Sequence, residues 1–242
     1  GSVAAKVSAE NGFSTLVLEK KRLGEDGRYK ACGGAMAWEL VEEIDYPEEK
    51  IARVIESLEL HHVDGETYSK EGKGAVVWRS TFDKFLTDMA RDAGAIVKEG
   101  EALTRVEKTE TGYVLTTEKQ AYHAKYVIAA DGVTSKTLKL LGWPYFRSKD
   151  LILTITKEMK SRSNYIQQVL GSDKVHLFFG KELIPVGYAW LFPKAETITV
   201  GWGNQINLIH RSRKEFQEFT NLDFVKKALK GATEEIFKPH LI

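Results

Sequence analysis

The sequence predicts an α/β protein in two parts: residues 1–147, where helix and strand alternate in the βαβ manner, and residues 148–242, built mainly from antiparallel strands plus helices. Three observations carry this prediction. A helix of small residues at the start runs straight into an apolar strand that ends on an acid. Composition and period shift at Tyr145 to Asp150. Beyond that shift, four strand-like segments follow one another with alternating pattern.

The elements can be justified in order. Ser2 to Asn11 carries Ala4, Ala5 and Ala9, small enough to pack closely on a sheet, and Gly12 stands where a helix ends. Ser14 to Leu18 is a buried strand run that delivers Glu19 to its C-terminal end. Ala35 to Glu43 reads as a short helix, and Arg53 to Tyr68 as a hairpin turning at Asp64-Gly65. A third strand, Ala75 to Trp78, ends in Arg79. Ser80 is the expected N-cap of a helix whose apolar stripe is Phe82, Phe85, Leu86, Met89 and Ala90, read as core. Strands at Ala95 to Lys98 and Glu101 to Lys108 precede a hairpin into Tyr113 to Thr117. The wholly apolar Tyr126 to Ala130 reads as a further strand. It meets Asp131-Gly132 and a helix to Leu141, closed by Gly142 with Pro144 behind it. The second part has strands at Leu151 to Lys157, Val175 to Phe179, Gly187 to Phe192 and Thr197 to Gly203. Helices at Arg211 to Thr220 and Asp223 to Lys230 complete it.

Bulk numbers exclude several functions. Thirty-five basic and thirty-four acidic side chains leave a net charge of +1, so no global field favours nucleic acid or an anionic membrane. One cysteine makes no internal disulfide and no cysteine-based zinc site, which fits a reducing, cytoplasmic setting. His61 and His62 are strand neighbours pointing to opposite faces, so they read as structural and no metal is expected. The longest apolar run, around Leu183 to Pro193, is far short of a membrane span. Both ends look cut, and the expectation is an internal piece of a longer protein.

Five places carry candidate chemistry. Arg28 to Gly34 joins cations to Cys32, Gly33 and Gly34, where backbone without Cβ admits a flat or anionic ligand. Gly1 and Glu19 have the spacing between the last glycine of a dinucleotide fingerprint and its ribose-binding acid; Glu19 equally fits a strand end facing solvent. Arg79 stands at a strand-to-helix junction, and Asp131-Gly132 at the mouth of a helix. Tyr188, Trp190 and Phe192 share one face of a strand beside Gly201 and Gly203, as core or as the wall of an apolar pocket.

In this order the motifs resemble the geranylgeranyl reductase family of flavoproteins, within the hydroxybenzoate-hydroxylase and glutathione-reductase type of FAD-binding Rossmann-like fold. The resemblance runs through Gly1 and Glu19, Lys30 to Gly34, Arg79, Ala130 to Gly132, Tyr188 to Pro193 and Val200 to Gly203. It implies FAD in the first domain, pyrophosphate near Gly1 and Ser2, the ribose on Glu19, and close backbone contacts at Ala31, Cys32 and Gly34. Arg79 and Ala102 would hold the adenosine side, with Asp131 and Gly132 completing the cofactor set. Tyr188, Trp190 and Phe192 would line a prenyl tunnel in the antiparallel-sheet substrate domain, and Cys32 is the candidate for proton delivery or flavin tuning. The implied reaction is hydride transfer from reduced flavin to isoprenoid double bonds of a lipid, with peripheral membrane contact and either NAD(P)H or ferredoxin as electron donor. Two rivals stand beside it: a flavin monooxygenase or halogenase on the same fold, and a non-catalytic lipid-binding fragment. The sequence departs from the family pattern in lacking the opening strand and glycines and the later Gly-Asp segment. Leu138 also stands where related hydroxylases carry Arg.

Overall fold

A computed structural model of the chain describes residues 1–24 and 29–242, so Arg28 lies outside the described residues. There are two compact units, residues 1–30 with 80–146 and residues 31–79 with 147–242. The chain passes between them three times, the last time at Phe146 and Arg147, beside the boundary expected from composition. Residues 31–79, which a linear reading counts with the first part, pack with the second.

In chain order the elements begin α1 (Ser2–Glu10), β1 (Leu16–Glu19), β2 (Ala35–Ala37), α2 (Trp38–Glu43), β3 (Ile51–His62), β4 (Thr67–Val77) and α3 (Arg79–Asp92). Next come β5 (Ile96–Glu99), β6 (Leu103–Thr109), β7 (Gly112–Thr117), β8 (Ala121–Ala124) and α4 (Lys136–Leu141). The remainder is β9 (Ile152–Lys160), α5 (Ser163–Leu170), β10 (Lys174–Gly180), β11 (Ile184–Pro193), β12 (Thr197–Gln205), α6 (Ser212–Thr220), α7 (Asp223–Ala228) and β13 (Thr233–Leu241).

In the first unit the small residues of α1 allow the close approach their composition suggests: Ala5 is buried with Ala90 of α3 and Ala95. Gly12, at φ 79°, takes the left-handed turn that ends α1. β1 pairs in parallel with β5, placing Glu19 opposite Glu99, while β6, β7 and β8 form a separate antiparallel sheet. Three expectations need correction here. Helix α3 starts at Arg79, so Ser80 lies inside it and is not its cap. Of the apolar stripe only Ala90 is fully buried; Phe82, Phe85, Leu86 and Met89 are half-buried. Tyr126 to Ala130 is not a strand, and Tyr126 and Ile128 are 81% and 69% exposed. An apolar run becomes a strand only where a neighbour completes its backbone hydrogen bonds, and no described strand pairs with it.

The second unit is one eight-stranded sheet in the order β13-β9-β12-β11-β10-β3-β4-β2. All its pairings are antiparallel except β10 beside β3. The third strand expected at Ala75 is the far end of β4, which continues past irregularities in its pairing with β3. Ala35 to Ala37 pair with β4 as β2, so only Trp38–Glu43 is helical. One face of the sheet is covered by α5, α6 and α7: Phe216, Phe219, Val225 and Ala228 pack with Leu191, Ile198, Val200 and Trp202. Each such large apolar side chain contributes about 1.5–3 kcal/mol on burial. By strand alternation Tyr188, Trp190 and Phe192 stand on the opposite face. Among the described residues no helix is long and apolar enough to cross a membrane.

Candidate functional site

In the first unit two junctions assemble expected residues. Gly1 is the N-cap of α1 and supplies no side-chain cap, so first-turn N–H groups carry the helix's positive end without an internal acceptor. A Cβ on Gly1 would lie 3.6 Å from that of Ala130, which places the Ala130-Asp131-Gly132 turn against this helix start. Gly132, at φ 82°, has open space where a Cβ would be. Ser2 hydrogen-bonds Thr87 of α3 through its hydroxyl at 2.8 Å. Asp131 is committed to its own turn: Oδ1 accepts from Ser135, and Oδ2 from the Thr137 backbone and hydroxyl, each at 2.9 Å. Burial pushes its pKa up, but these hydrogen bonds prevail and hold it below the usual carboxylate range. What this turn presents outward is therefore backbone.

The second junction lies at the C-terminal end of β1. Glu19 Oε1 accepts from the Lys21 backbone at 2.9 Å, and the Glu19 carbonyl accepts from Glu101 N at 3.0 Å. Ala102 therefore follows directly on a residue bonded to Glu19. Beneath it the buried Glu101 carboxylate accepts from Thr117 at 2.8 Å and Tyr122 at 2.7 Å. An acid and a backbone strip side by side at a parallel-strand end suit ribose hydroxyls and a flat base. Arg79, which belongs to the second unit, is half-buried where α3 begins.

In the second unit the Cys32 loop and the aromatic strand come together. A Cβ on Gly33 would overlap the Phe192 ring and lie 3.0 Å from Trp190 Nε1, so only glycine lets the loop settle on this wall. Gly34, at φ 81°, is tied to β4 by a 3.0 Å bond from Val77 N to its carbonyl, and a Cβ there would overlap the Val77 carbonyl. Ala31 is 7% exposed and Cys32 is a free, half-buried thiol. The rings of Tyr188, Trp190 and Phe192 follow one another at centroid distances of 5.7 and 6.3 Å. Gly201 lies opposite Trp190 and is covered by its indole, which occupies the space of the missing side chain. Trp190 Nε1 is buried without a hydrogen-bond partner among the described residues. Tyr188 is 46% exposed, and partial burial followed by the nearby Cys32 pushes its phenol pKa up.

Phe192 also lines an apolar groove of about 280 Å³ with Met36, Ile55, Leu58, Ala75 and Leu177. Loop, aromatic wall and groove thus meet at one side chain.

Sequence reasoning missed a buried polar cluster on the same face. Lys194, just after Pro193, is 2% exposed, with Glu158 Oε2 at 3.2 Å and the Thr199 hydroxyl in contact. Its ammonium caps the Trp78 ring at 3.8 Å. Burial pulls its pKa below the ordinary value against the opposing pull of Glu158. Arg53 fixes the turn by donating to the Lys194 carbonyl at 2.5 Å. The legible signal was Glu158, a charge at an inward position of the alternating β9. The two adjacent histidines diverge: His61 Nε2 meets His176 Nδ1 at 2.9 Å, and His62 meets Asp64 at 2.8 Å. Among the described residues no cluster of three or more His, Cys, Asp or Glu could hold a metal.

Residues 157–238 match the family described as the geranylgeranyl reductase catalytic domain. Digeranylgeranylglycerophospholipid reductases of Methanocaldococcus jannaschii and Methanococcus vannielii are 31% and 29% identical over 98% of the chain. The chain spans 61% of the length of each of these curated relatives. A solved geranylgeranyl bacteriochlorophyll reductase-like protein of Thermoplasma acidophilum matches all of the chain with a TM-score of 0.84 and 25% identity, over 63% of its own length. The halogenase PltM, solved also with FAD, and the brominase Bmp2 match all of the chain and 57% and 64% of their own. At TM-scores of 0.72 and 0.75 and identities of 11% and 14%, they share the fold alone. The architecture is therefore the α/β fold of FAD-binding flavoproteins. Within that class, the chain belongs to the geranylgeranyl reductase family.

Proposed function

We propose that this chain forms the cofactor- and lipid-facing part of an FAD-dependent oxidoreductase that saturates double bonds in geranylgeranyl, or other isoprenoid, chains of lipids. The observation that carries the reading is Gly33 seated on Trp190 and Phe192 while Phe192 lines an apolar groove. The residues fit the cofactor. The uncapped start of α1 at Gly1 and Ser2 and the open Gly132 beside Asp131 suit a pyrophosphate. Glu19, Ala102 and Arg79 suit the adenosine side; Ala31, Cys32 and Gly34 offer backbone that a ring system can approach. FAD, when bound and reduced, supplies the hydride.

The chain's own part is binding, orientation and proton supply. Tyr188, Trp190 and Phe192 hold the alkene and exclude water, and the groove takes the rest of the isoprenoid. Cys32 is the proton donor of this reading, and its Sγ lies within electrostatic reach of Tyr188 and Lys194. Replacing Cys32 by Ser is expected to slow turnover without loosening flavin; unchanged turnover removes the thiol from the mechanism.

The exposed Trp143, Tyr145 and Phe146 support peripheral contact with a membrane, since aromatic side chains settle at headgroup level. The lone cysteine supports a cytoplasmic setting. A nicotinamide or a ferredoxin serves as electron donor. The halogenase likeness gives the rival reading its basis, and incubation with a prenyl lipid under air separates the two. Products that gain only pairs of hydrogen atoms are expected; products carrying oxygen or halogen would overturn the reductase reading.

A further inference from the structure

The aromatic wall holds a donor that a hydrocarbon chain leaves unmet. Trp190 is 6% exposed, and its indole Nε1 is buried with no hydrogen-bond partner among the described residues. Burying an N–H without an acceptor costs free energy that a bound acceptor restores. The indole is not free to turn away, because its ring covers Gly201 and fills the space of the missing side chain. Its Nε1 faces the Cys32 loop, 3.0 Å from where a Cβ on Gly33 would stand. Nearby acceptors are engaged elsewhere. The Gly34 carbonyl takes the Val77 N–H at 3.0 Å, and Glu158 Oε2 takes Thr199 at 2.8 Å and Lys194 at 3.2 Å. Across Gly201 in the sheet, the Thr156 hydroxyl is itself buried and unpaired among the described residues.

We propose that Trp190 binds the flavin as well as the lipid: its indole N–H donates a hydrogen bond to a polar atom of the flavin ring, and this bond tightens when the ring is reduced. The inference rests on the FAD-dependent reading above and gives this side chain a part in setting the flavin's reduction potential. The acceptor follows from chemistry. An isoprenoid offers only carbon and hydrogen, so the face of the indole suits the alkene while its N–H does not. A flavin ring carries nitrogen and carbonyl acceptors along one edge, and the loop that Nε1 faces is the one whose glycines leave backbone open to a ring system. Reduction adds negative charge to those acceptors, and a hydrogen bond to a charged acceptor is roughly twice as strong as one to a neutral acceptor. Trp190 Nε1 therefore favours the reduced ring over the oxidised one.

The test is the two-electron reduction potential of the FAD-loaded chain, read against reference dyes, in the parent and in Trp190→Phe, which keeps an aromatic ring and removes the N–H. The variant is expected to hold reduced flavin about tenfold less tightly relative to oxidised flavin, which is a potential about 30 mV more negative. Phe192→Leu disturbs the same wall without removing a donor and is expected to leave the potential unchanged. An unchanged potential in Trp190→Phe, or an equal drop in Phe192→Leu, overturns the proposal. A second measurement needs no substitution. With isotopically labelled indole nitrogens in the unaltered chain, one tryptophan N–H resonance is expected to move downfield on FAD uptake and further on reduction; indole resonances that all stay in place overturn the proposal. Either failure, with a prenyl lipid still oxidising the reduced flavin, leaves the reductase reading standing, whereas a chain that takes up no FAD overturns both.

Discussion

At Gly201 the backbone of β12 lies so close beneath the Trp190 indole that a single added methyl has nowhere to go. Gly201→Ala must push Trp190 off the wall, and overpacking of this kind costs about 1–3 kcal/mol, read as a lower urea midpoint at unchanged slope. Gly203→Ala is the milder control, since its Cβ would come no nearer to any neighbour than 3.1 Å, from a Thr154 methyl. Equal stability of both variants would contradict the packing described. Lys194 is held by a different logic. Removing it alone leaves Glu158 charged and buried, and Lys194→Ala is expected to cost about 3–5 kcal/mol, largely recovered when Glu158 is replaced by Met as well. A double variant no more stable than the single would show that the pair is not the reason for the loss.

His176 adds a pH dependence. Burial lowers its pKa to about 4, and its Nε2 faces the Leu170 carbonyl at 2.8 Å. The unfolded chain takes up a proton near the ordinary value of about 6.5, whereas the folded chain resists until about 4. This contribution is therefore complete above pH 6.5, shrinks as pH falls, and is gone below about 4, by at most about 3 kcal/mol. Urea melts across that range should show the decline, and His176→Asn should flatten it. An identical slope in the variant would assign the pH dependence to other groups.

At the scale of elements, the capped α4 shows what sequence makes legible. Gly142 ends the helix in the left-handed conformation, as the Gly-x-Pro signal indicates, and Ser135 caps its start by accepting from Leu138 N at 3.0 Å. Ser135→Ala is expected to cost about 1 kcal/mol by denaturation, and an unaffected midpoint would show the cap to be idle. Hairpin β3–β4 and strands β9 to β12 were legible for the same reason: their alternation reflects two faces with different surroundings. β13 was not. Thr233 to Leu241 alternates weakly, carries Pro239 and charged residues, and is mostly exposed, because an edge strand is held by its ladder to β9 more than by side chains. Tyr126 to Ala130 failed in the other direction, since hydrophobicity reports what a segment would bury and not whether a partner strand is there.

At the scale of the molecule, the candidate site was legible where glycine and aromatic residues occur in a fixed order. Ala31 to Gly34, Tyr188 to Pro193 and Val200 to Gly203 all lie in the second unit, although more than a hundred and fifty residues separate the first from the others. The Lys194 cluster was legible only in part: Glu158 stands at an inward position of β9, but its pairing with Lys194 arises from the folded arrangement of the strands. The central claim, that the Trp190–Phe192 wall presents an isoprenoid to reduced flavin, is tested most directly in a single anaerobic turnover. The chain is loaded with FAD, reduced, and mixed with a geranylgeranyl lipid while flavin absorbance is followed. The account predicts lipid-dependent return of the oxidised spectrum, in step with double bonds saturated, and at least about tenfold slower in Phe192→Ala, the loss that about 1.4 kcal/mol of transition-state stabilisation produces. Flavin that stays reduced until oxygen is admitted, with the lipid unchanged, would contradict it.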